Sequence, residues 1–165
     1  MKRPRIKPEL NTLDRSLIAT GNILILAVWI FVLLTFSGLP ESIPIHFNAS
    51  GQVDGFGSRM LIFILPLLSS ILFAGLTILN RHPHVFNYPV RVTAQNALLL
   101  YKHASRMIRV LAVVIATVFL NTAIGCVFIA RGYIDKLPIW LFPVELILPY
   151  SVIIYFMYKL TKSAK

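Results

Sequence analysis

The chain has 165 residues, 57% of them hydrophobic and 13% charged, with a mean hydropathy of +0.77. That balance leaves too little polar surface for a water-soluble domain of this size and points to an integral membrane protein. The 16 Lys and Arg against 6 Asp and Glu give a net charge of +10, but they flank apolar runs instead of forming a patch, so direct nucleic-acid binding is not expected. The single cysteine, Cys126, lies inside an apolar run and offers neither a disulfide framework nor a CxxC metal motif.

Residues 1–15 form a basic arm with Lys2, Arg3, Arg5, Lys7 and Arg15, broken by Pro4 and Pro8 and expected to lack stable structure. Asp14 or Ser16 is expected to start the first helix. From Ser16 to Pro40 no residue is charged, and the run supplies the roughly 20 residues that cross a hydrocarbon core about 30 Å thick. It is too long for the apolar core of a secretory signal, and no small-x-small cleavage site follows it. Three more uncharged or nearly uncharged runs follow at 60–80, 110–130 and 137–158, the last broken only by Glu145. The expected fold is therefore all-α and integral to the membrane. It has a four-helix membrane domain over 16–165, with helices at about 16–37, 60–79, 108–130 and 139–158.

Orientation follows the distribution of Lys and Arg, which concentrate on the cytoplasmic side. With both termini inside, the cytoplasm receives five in the arm, five between Arg81 and Arg109, and three at the C-terminal end. Arg59, Arg131 and Lys136 are left outside. The segment 39–59, LPESIPIHFNASGQVDGFGSR, then faces the exterior or periplasm as the loop between the first two helices.

In that loop IPIHF favours an extended strand and N-A-S-G supplies turn chemistry before QVDGFG, so a short hairpin or compact fold is expected. Ser58 is placed to cap the second helix. His46, Phe47, Asn48, Gly51, Asp54, Phe56 and Arg59 are the candidate binding residues, with Asp54 placed to pair with Arg59 and Asn48 with Gly51 to form the turn. His46 and Asp54 also have the chemistry of metal ligands. Two local ligands fall short of a closed site, and neither HExxH nor a Cys/His cluster adds to them, so no metal or cofactor is expected.

The connection RHPHVFNYPVRV is kept irregular by Pro83 and Pro89. TAQNALLLYKHASRMIR then reads as an amphipathic cytoplasmic helix capped near Thr93. Ala94, Ala97, Leu98, Tyr101, Ala104 and Ile108 recur at helical spacing, and Gln95, Lys102, Arg106 and Arg109 fall on the wetter side, as for a helix at an anionic membrane surface. A continuous extension of the third spanning helix fits the same pattern. His82, His84 and His103 read as surface or headgroup contacts.

The two stretches 39–59 and HVFNYPVRVTAQNALLLY (84–101) together resemble a family of bacterial multi-helix membrane proteins known by a domain of unknown function. The resemblance covers roughly residues 15–130. Its best-described members are immunity proteins against a sporulation-delaying peptide toxin that, on sensing it, hold a transcriptional repressor at the membrane, and they carry additional spanning helices. The resemblance implies an external peptide toxin and a cytoplasmic repressor as partners. It also marks Asn87, Tyr88, Pro89, Asn96 and Tyr101 as a cytoplasmic motif. Arg59 stands where a lysine is common, which keeps the charge and changes the donor geometry.

Glu145 is the one acidic residue inside a spanning run, five residues after Trp140. It is expected near the outer boundary, where folding could bring it to His46 or Arg59, and intramembrane carboxylates are costly enough to be functional candidates. Asn22, Asn121 and Gly125 are expected to make interhelical contacts. Three function classes follow: a non-enzymatic receptor for a peptide or membrane partner, of which toxin immunity is the concrete form; an enzyme or transporter using His46, Asp54 and Glu145; and an accessory subunit of a larger complex. No catalytic triad or phosphate loop supports the second, and four helices leave so little room for a pore that transport would require an oligomer.

Overall fold

The computed structural model describes residues 3–163. Among them are four helices long and apolar enough to span a membrane and one two-stranded hairpin. The elements are α1 (Thr12–Phe36), β1 (Ser42–Phe47), β2 (Val53–Ser58), α2 (Ile64–Leu79) entered through a 3-10 turn at Arg59–Phe63, α3 (Ala97–Ala130) and α4 (Leu141–Lys162). The apolar helices mark a multi-pass protein whose solvent is the bilayer.

Two ends can be distinguished. The hairpin end holds β1, β2 and the α3–α4 connection. The arm end holds residues 3–11, the α2–α3 connection and the C-terminus of α4.

Helix α1 starts at Thr12, four residues before the first uncharged run. Asn11 accepts a hydrogen bond from the Asp14 backbone N–H at 2.9 Å, and the Asp14 carboxylate accepts from the Asn11 N–H at 3.3 Å. This reciprocal capping box satisfies two backbone donors that would otherwise be orphaned. Asp14 is thus the third residue of the helix rather than its cap. The charge-free criterion missed this start because it treated Asp14 and Arg15 as outside the membrane domain.

Helices α1 and α2 lie against each other through small residues. The Phe73 ring covers Gly21, and the Trp29 indole N–H donates to Ser70 Oγ at 2.9 Å, while Ser70 itself donates to the Pro66 carbonyl at 2.7 Å. Pro66 falls in the first turn of α2, where a missing N–H costs nothing.

Helix α3 is the spine. It is a single unbroken helix of 34 residues, about 51 Å at 1.5 Å per residue, and touches the other three helices and β1. Of the two readings of residues 93–109, the structure has the continuous extension, not a separate amphipathic helix. Thr93 and Asn96 exchange backbone-to-side-chain hydrogen bonds at 2.8 and 3.3 Å, but the turn they close precedes the helix, which begins at Ala97. Ala104, Ala112, Ala116 and Ala123 are all buried, and this small-residue face lets neighbouring backbones approach closely.

Apolar cores form at both ends. One gathers Val32, Leu39, Ile43, Ile62, Ala123, Cys126 and Val127 beneath the hairpin. The other gathers Tyr88, Ala97, Leu100, Tyr101, Ala104 and Leu160 at the arm end. Helix α4 reaches Lys162, beyond the expected end at 158, because Phe156 and Leu160 are buried in its last two turns. Most of its outer surface, including Leu146, Ile147 and Ile154, is uncovered.

The arm is held, contrary to expectation. Residues 3–11 contain no helix or strand, yet Arg3 donates to the carbonyls of Phe86 at 2.6 Å and His84 at 3.3 Å and lies over the Tyr88 ring. The Tyr101 hydroxyl donates to the Pro4 carbonyl at 3.0 Å.

A second correction concerns Arg106 and Arg109, which face inward rather than toward water. Arg106 grips Asp14 with two hydrogen bonds at 3.0 and 3.1 Å, and Arg109 Nη1 adds a third at 3.1 Å. Asp14 is 1% exposed. Two half-buried guanidiniums thus share one buried carboxylate. Removing it strands both charges, a loss on the order of 3–5 kcal/mol for buried pairs. Asp14→Ala is therefore expected to lower stability by about that amount, read as a lower thermal midpoint in detergent, whereas Arg5→Ala in the exposed arm leaves the midpoint unchanged.

Candidate functional site

The segment 39–59 folds as an antiparallel hairpin whose two faces differ. Ser42 pairs with Ser58, Ile43 with Gly57, Pro44 with Phe56, His46 with Gly55 and Phe47 with Val53, with irregularities on either side of His46. A regular strand would alternate its side chains between faces. Here Ile43 and Pro44 are both buried, and past the irregularity at Ile45 both Ile45 and His46 are exposed. His46 and Asp54 meet on the exposed face as a hydrogen-bonded pair. Gly55 makes room for this, since a Cβ there would lie 3.0 Å from that of His46.

The turn is built by Asn48. Its side-chain oxygen accepts from the N–H groups of Ser50 at 2.9 Å and Gln52 at 3.1 Å, and its carbonyl accepts from the Gly51 N–H at 2.9 Å. Gly51 closes the turn with φ +78°, a left-handed conformation in which side chains are strained. Its carbonyl accepts from the Leu137 N–H at 2.9 Å, and a Cβ on Gly51 would collide with the Leu137 carbonyl. The Leu137 side chain in turn fills the notch over Gly125 of α3. Leu137 therefore locks the hairpin, the α3–α4 connection and α3 together.

Other anchors fix the base. Arg59 does not pair with Asp54. Its Nη1 donates to the Leu39 carbonyl at 3.2 Å, and its guanidinium lies over the Phe36 ring at 5.3 Å. Arg131 Nη2 donates to the Thr35 carbonyl at 2.9 Å, placing a cation at the negative end of α1. Ser58 caps the 3-10 turn through the Met60 N–H at 3.3 Å. Phe47 packs against the core beneath, while Phe56 is 63% exposed beside His46 and Asp54.

The remaining candidates separate into two groups. Glu145 makes no hydrogen bond with His46 or Arg59, and its Oε1 is buried without a partner. Pro149, inside α4, lacks the N–H that would bond the Glu145 carbonyl, so this residue is under-satisfied on both side chain and backbone.

At the arm end, Tyr88 and Tyr101 are buried with ring centroids 5.6 Å apart, and the Tyr88 hydroxyl donates to the Pro83 carbonyl at 2.8 Å. Burial, with a contribution from Tyr101, pushes the Tyr88 phenol above its ordinary value, so it stays a protonated donor. Asn96 donates to the Arg91 carbonyl at 3.1 Å, and Asn87 and Pro89 are exposed. Asn22 bonds the Ile18 carbonyl of its own helix rather than a neighbour. Among the described residues no group of three His, Cys, Asp or Glu could hold a metal ion.

Residues 23–69 match the family described as Domain of unknown function (DUF1648). The DUF1648 segment takes in most of α1, the hairpin and the start of α2, so it contains every hairpin residue singled out above. The stretch 84–101 lies outside it. An uncharacterized protein of Archaeoglobus fulgidus is 40% identical over 83 residues, covering 46% of this chain. The chain spans 45% of that relative's length. No solved structure matches the chain.

Sequence reasoning missed Asp14, Arg106, Arg109 and Leu137. The Asn11-x-x-Asp14 spacing carries a capping signal, but nothing local to Leu137 announces its role. Gly51→Ala is expected to cost about 1–3 kcal/mol through backbone strain, with the collision at Leu137 in addition. Limited proteolysis should then cleave the 131–140 connection faster than in the unaltered protein.

Proposed function

We propose that this chain is a non-enzymatic, multi-pass protein of the cytoplasmic membrane that recognises an external peptide or a membrane partner through the hairpin. Toxin immunity is the most concrete form of this reading. The observation that carries it is the two-faced hairpin. Its inner face is fastened at Leu39, Ile43, Gly51 and Arg59, while its outer face presents Ile45, His46, Asp54 and Phe56. A clamped scaffold that displays a His–Asp hydrogen bond beside an exposed aromatic ring loses little ordering entropy on binding. The arm end supplies the surface for a cytoplasmic partner such as a transcriptional repressor, with exposed Asn87 and Pro89 above the Tyr88–Tyr101 core.

Charge supports the orientation. Most Lys and Arg lie at the arm end, which the positive-inside tendency assigns to the cytoplasm. At the hairpin end, Arg59 and Arg131 are engaged with backbone carbonyls. In a Cys126→Ala background, a cysteine at Ser50 is expected to react with an impermeant thiol reagent on intact cells, and one at Val85 only after lysis; the reverse pattern refutes the orientation.

The binding role is tested by survival. Cells carrying the protein should outlive cells lacking it when exposed to a cognate membrane-active peptide. His46→Ala and Asp54→Ala should abolish that advantage while changing stability by less than about 1 kcal/mol, as expected for an exposed pair. Unchanged survival across a panel of peptides would count against immunity.

A second reading rests on α4. The unpartnered Glu145 carboxyl and the uncovered apolar surface of this helix suit an accessory subunit whose partner, or a second copy, supplies a donor within the membrane.

A further inference from the structure

A cavity of about 310 Å³, open on one side, lies between α1, α2 and α3 at the arm end. Its deeper wall is apolar and includes Leu17 of α1 with Phe73 and Leu76 of α2. Its rim carries Asn80, Arg81 and Arg109. This rim sits where the apolar run of α2 ends, the depth at which a spanning protein meets phosphate headgroups.

Charge at the rim is unbalanced. Asp14 is already gripped twice by Arg106, and Arg109 reaches the same oxygen with a single Nη1 donor. Arg109 Nε is buried without an acceptor. Asn80 donates through Nδ2 to the Ser105 carbonyl at 3.2 Å, while its Oδ1 is buried without a donor. Arg81 brings a further positive charge. Two guanidiniums therefore share one carboxylate, Arg81 adds a cation with no carboxylate beside it, and two buried polar atoms of opposite hydrogen-bonding sense are unmet. The C-terminus of α2 contributes about half a negative charge here, which the surplus cations outweigh.

We propose that this cavity is a binding site for an anionic phospholipid whose headgroup also carries a hydroxyl, of the phosphatidylglycerol type. The phosphodiester pairs with the guanidiniums of Arg109 and Arg81, which both line the cavity. The headgroup hydroxyl meets the Asn80 amide at the cavity wall, and the start of an acyl chain lies against Leu17, Phe73 and Leu76. A zwitterionic lipid fits less well, because its ammonium would enter a site already in cationic excess. The site lies at the opposite end of the molecule from the hairpin and does not depend on the peptide-binding reading.

The test is native mass spectrometry of the full chain taken from vesicles of phosphatidylglycerol mixed with phosphatidylethanolamine. Retention of phosphatidylglycerol in preference to phosphatidylethanolamine is expected. Arg81→Gln should reduce it about fivefold, the effect of removing one basic contact to an anionic lipid, and Thr77→Phe, which fills the cavity from an exposed position, should also reduce it. Neither variant touches the Asp14 cluster, so both should melt like the unaltered protein. Equal retention of the two lipids, or retention unaffected by both substitutions, would overturn the proposal. Displacement of the bound lipid by inorganic phosphate or glycerol 3-phosphate at millimolar concentration would overturn the assignment to a lipid and make the site one for a free anion.

Discussion

The structure depends on the small-residue face of α3. In a bilayer the solvent is as apolar as the side chains, so helices are not driven together by escape from water and must gain from close packing and polar contacts instead. Ala104, Ala112, Ala116, Ala123 and Gly125 provide that closeness along one helix, which the other three helices and the hairpin all touch. Each end of α3 then adds a polar fastening. At the arm end it is the Asp14 cluster; at the hairpin end it is Leu137, seated over Gly125 and hydrogen-bonded to Gly51.

The two fastenings differ in physical character, and that difference separates stability from display. The Asp14 cluster buries charge, so it tolerates the loss of one partner badly and fixes where α1 and α3 cross. The hairpin clamp uses backbone hydrogen bonds, a left-handed glycine and apolar side chains. Its His46–Asp54 contact is turned outward where solvent screens it and where it contributes little to holding the fold. A protein that holds itself together with one set of residues can present another set to a partner. The hairpin meets that condition more fully than any other described part of the chain.

Much was legible in the sequence. Uncharged runs of about 20 residues announce spanning helices because the thickness of the hydrocarbon core sets their length. The turn at Asn48–Gly51 was legible because its hydrogen bonds close within four residues. Expectations failed where the deciding contact was distant. Arg106 and Arg109 were assigned to the wet side because helical periodicity cannot see an aspartate 92 residues away. The arm was expected to be unstructured because no local pattern orders it, yet Arg3 and Pro4 are held by residues more than 80 positions on. Asp54 was given to Arg59 by proximity in sequence, whereas strand irregularities turned it toward His46.

By itself the sequence determined the environment, the four apolar segments and the presence of a folded polar loop between the first two, since all three follow from composition and short-range pattern. Tertiary structure alone decided which side chains that loop exposes, that α3 runs unbroken from the connection into the membrane, and that an excess of guanidinium lines a cavity beside Asn80. Those outcomes depend on which groups meet across the bundle. A chain settles that only by folding, because the cost of an unpaired charge or an unmet donor depends on the neighbours that close around it.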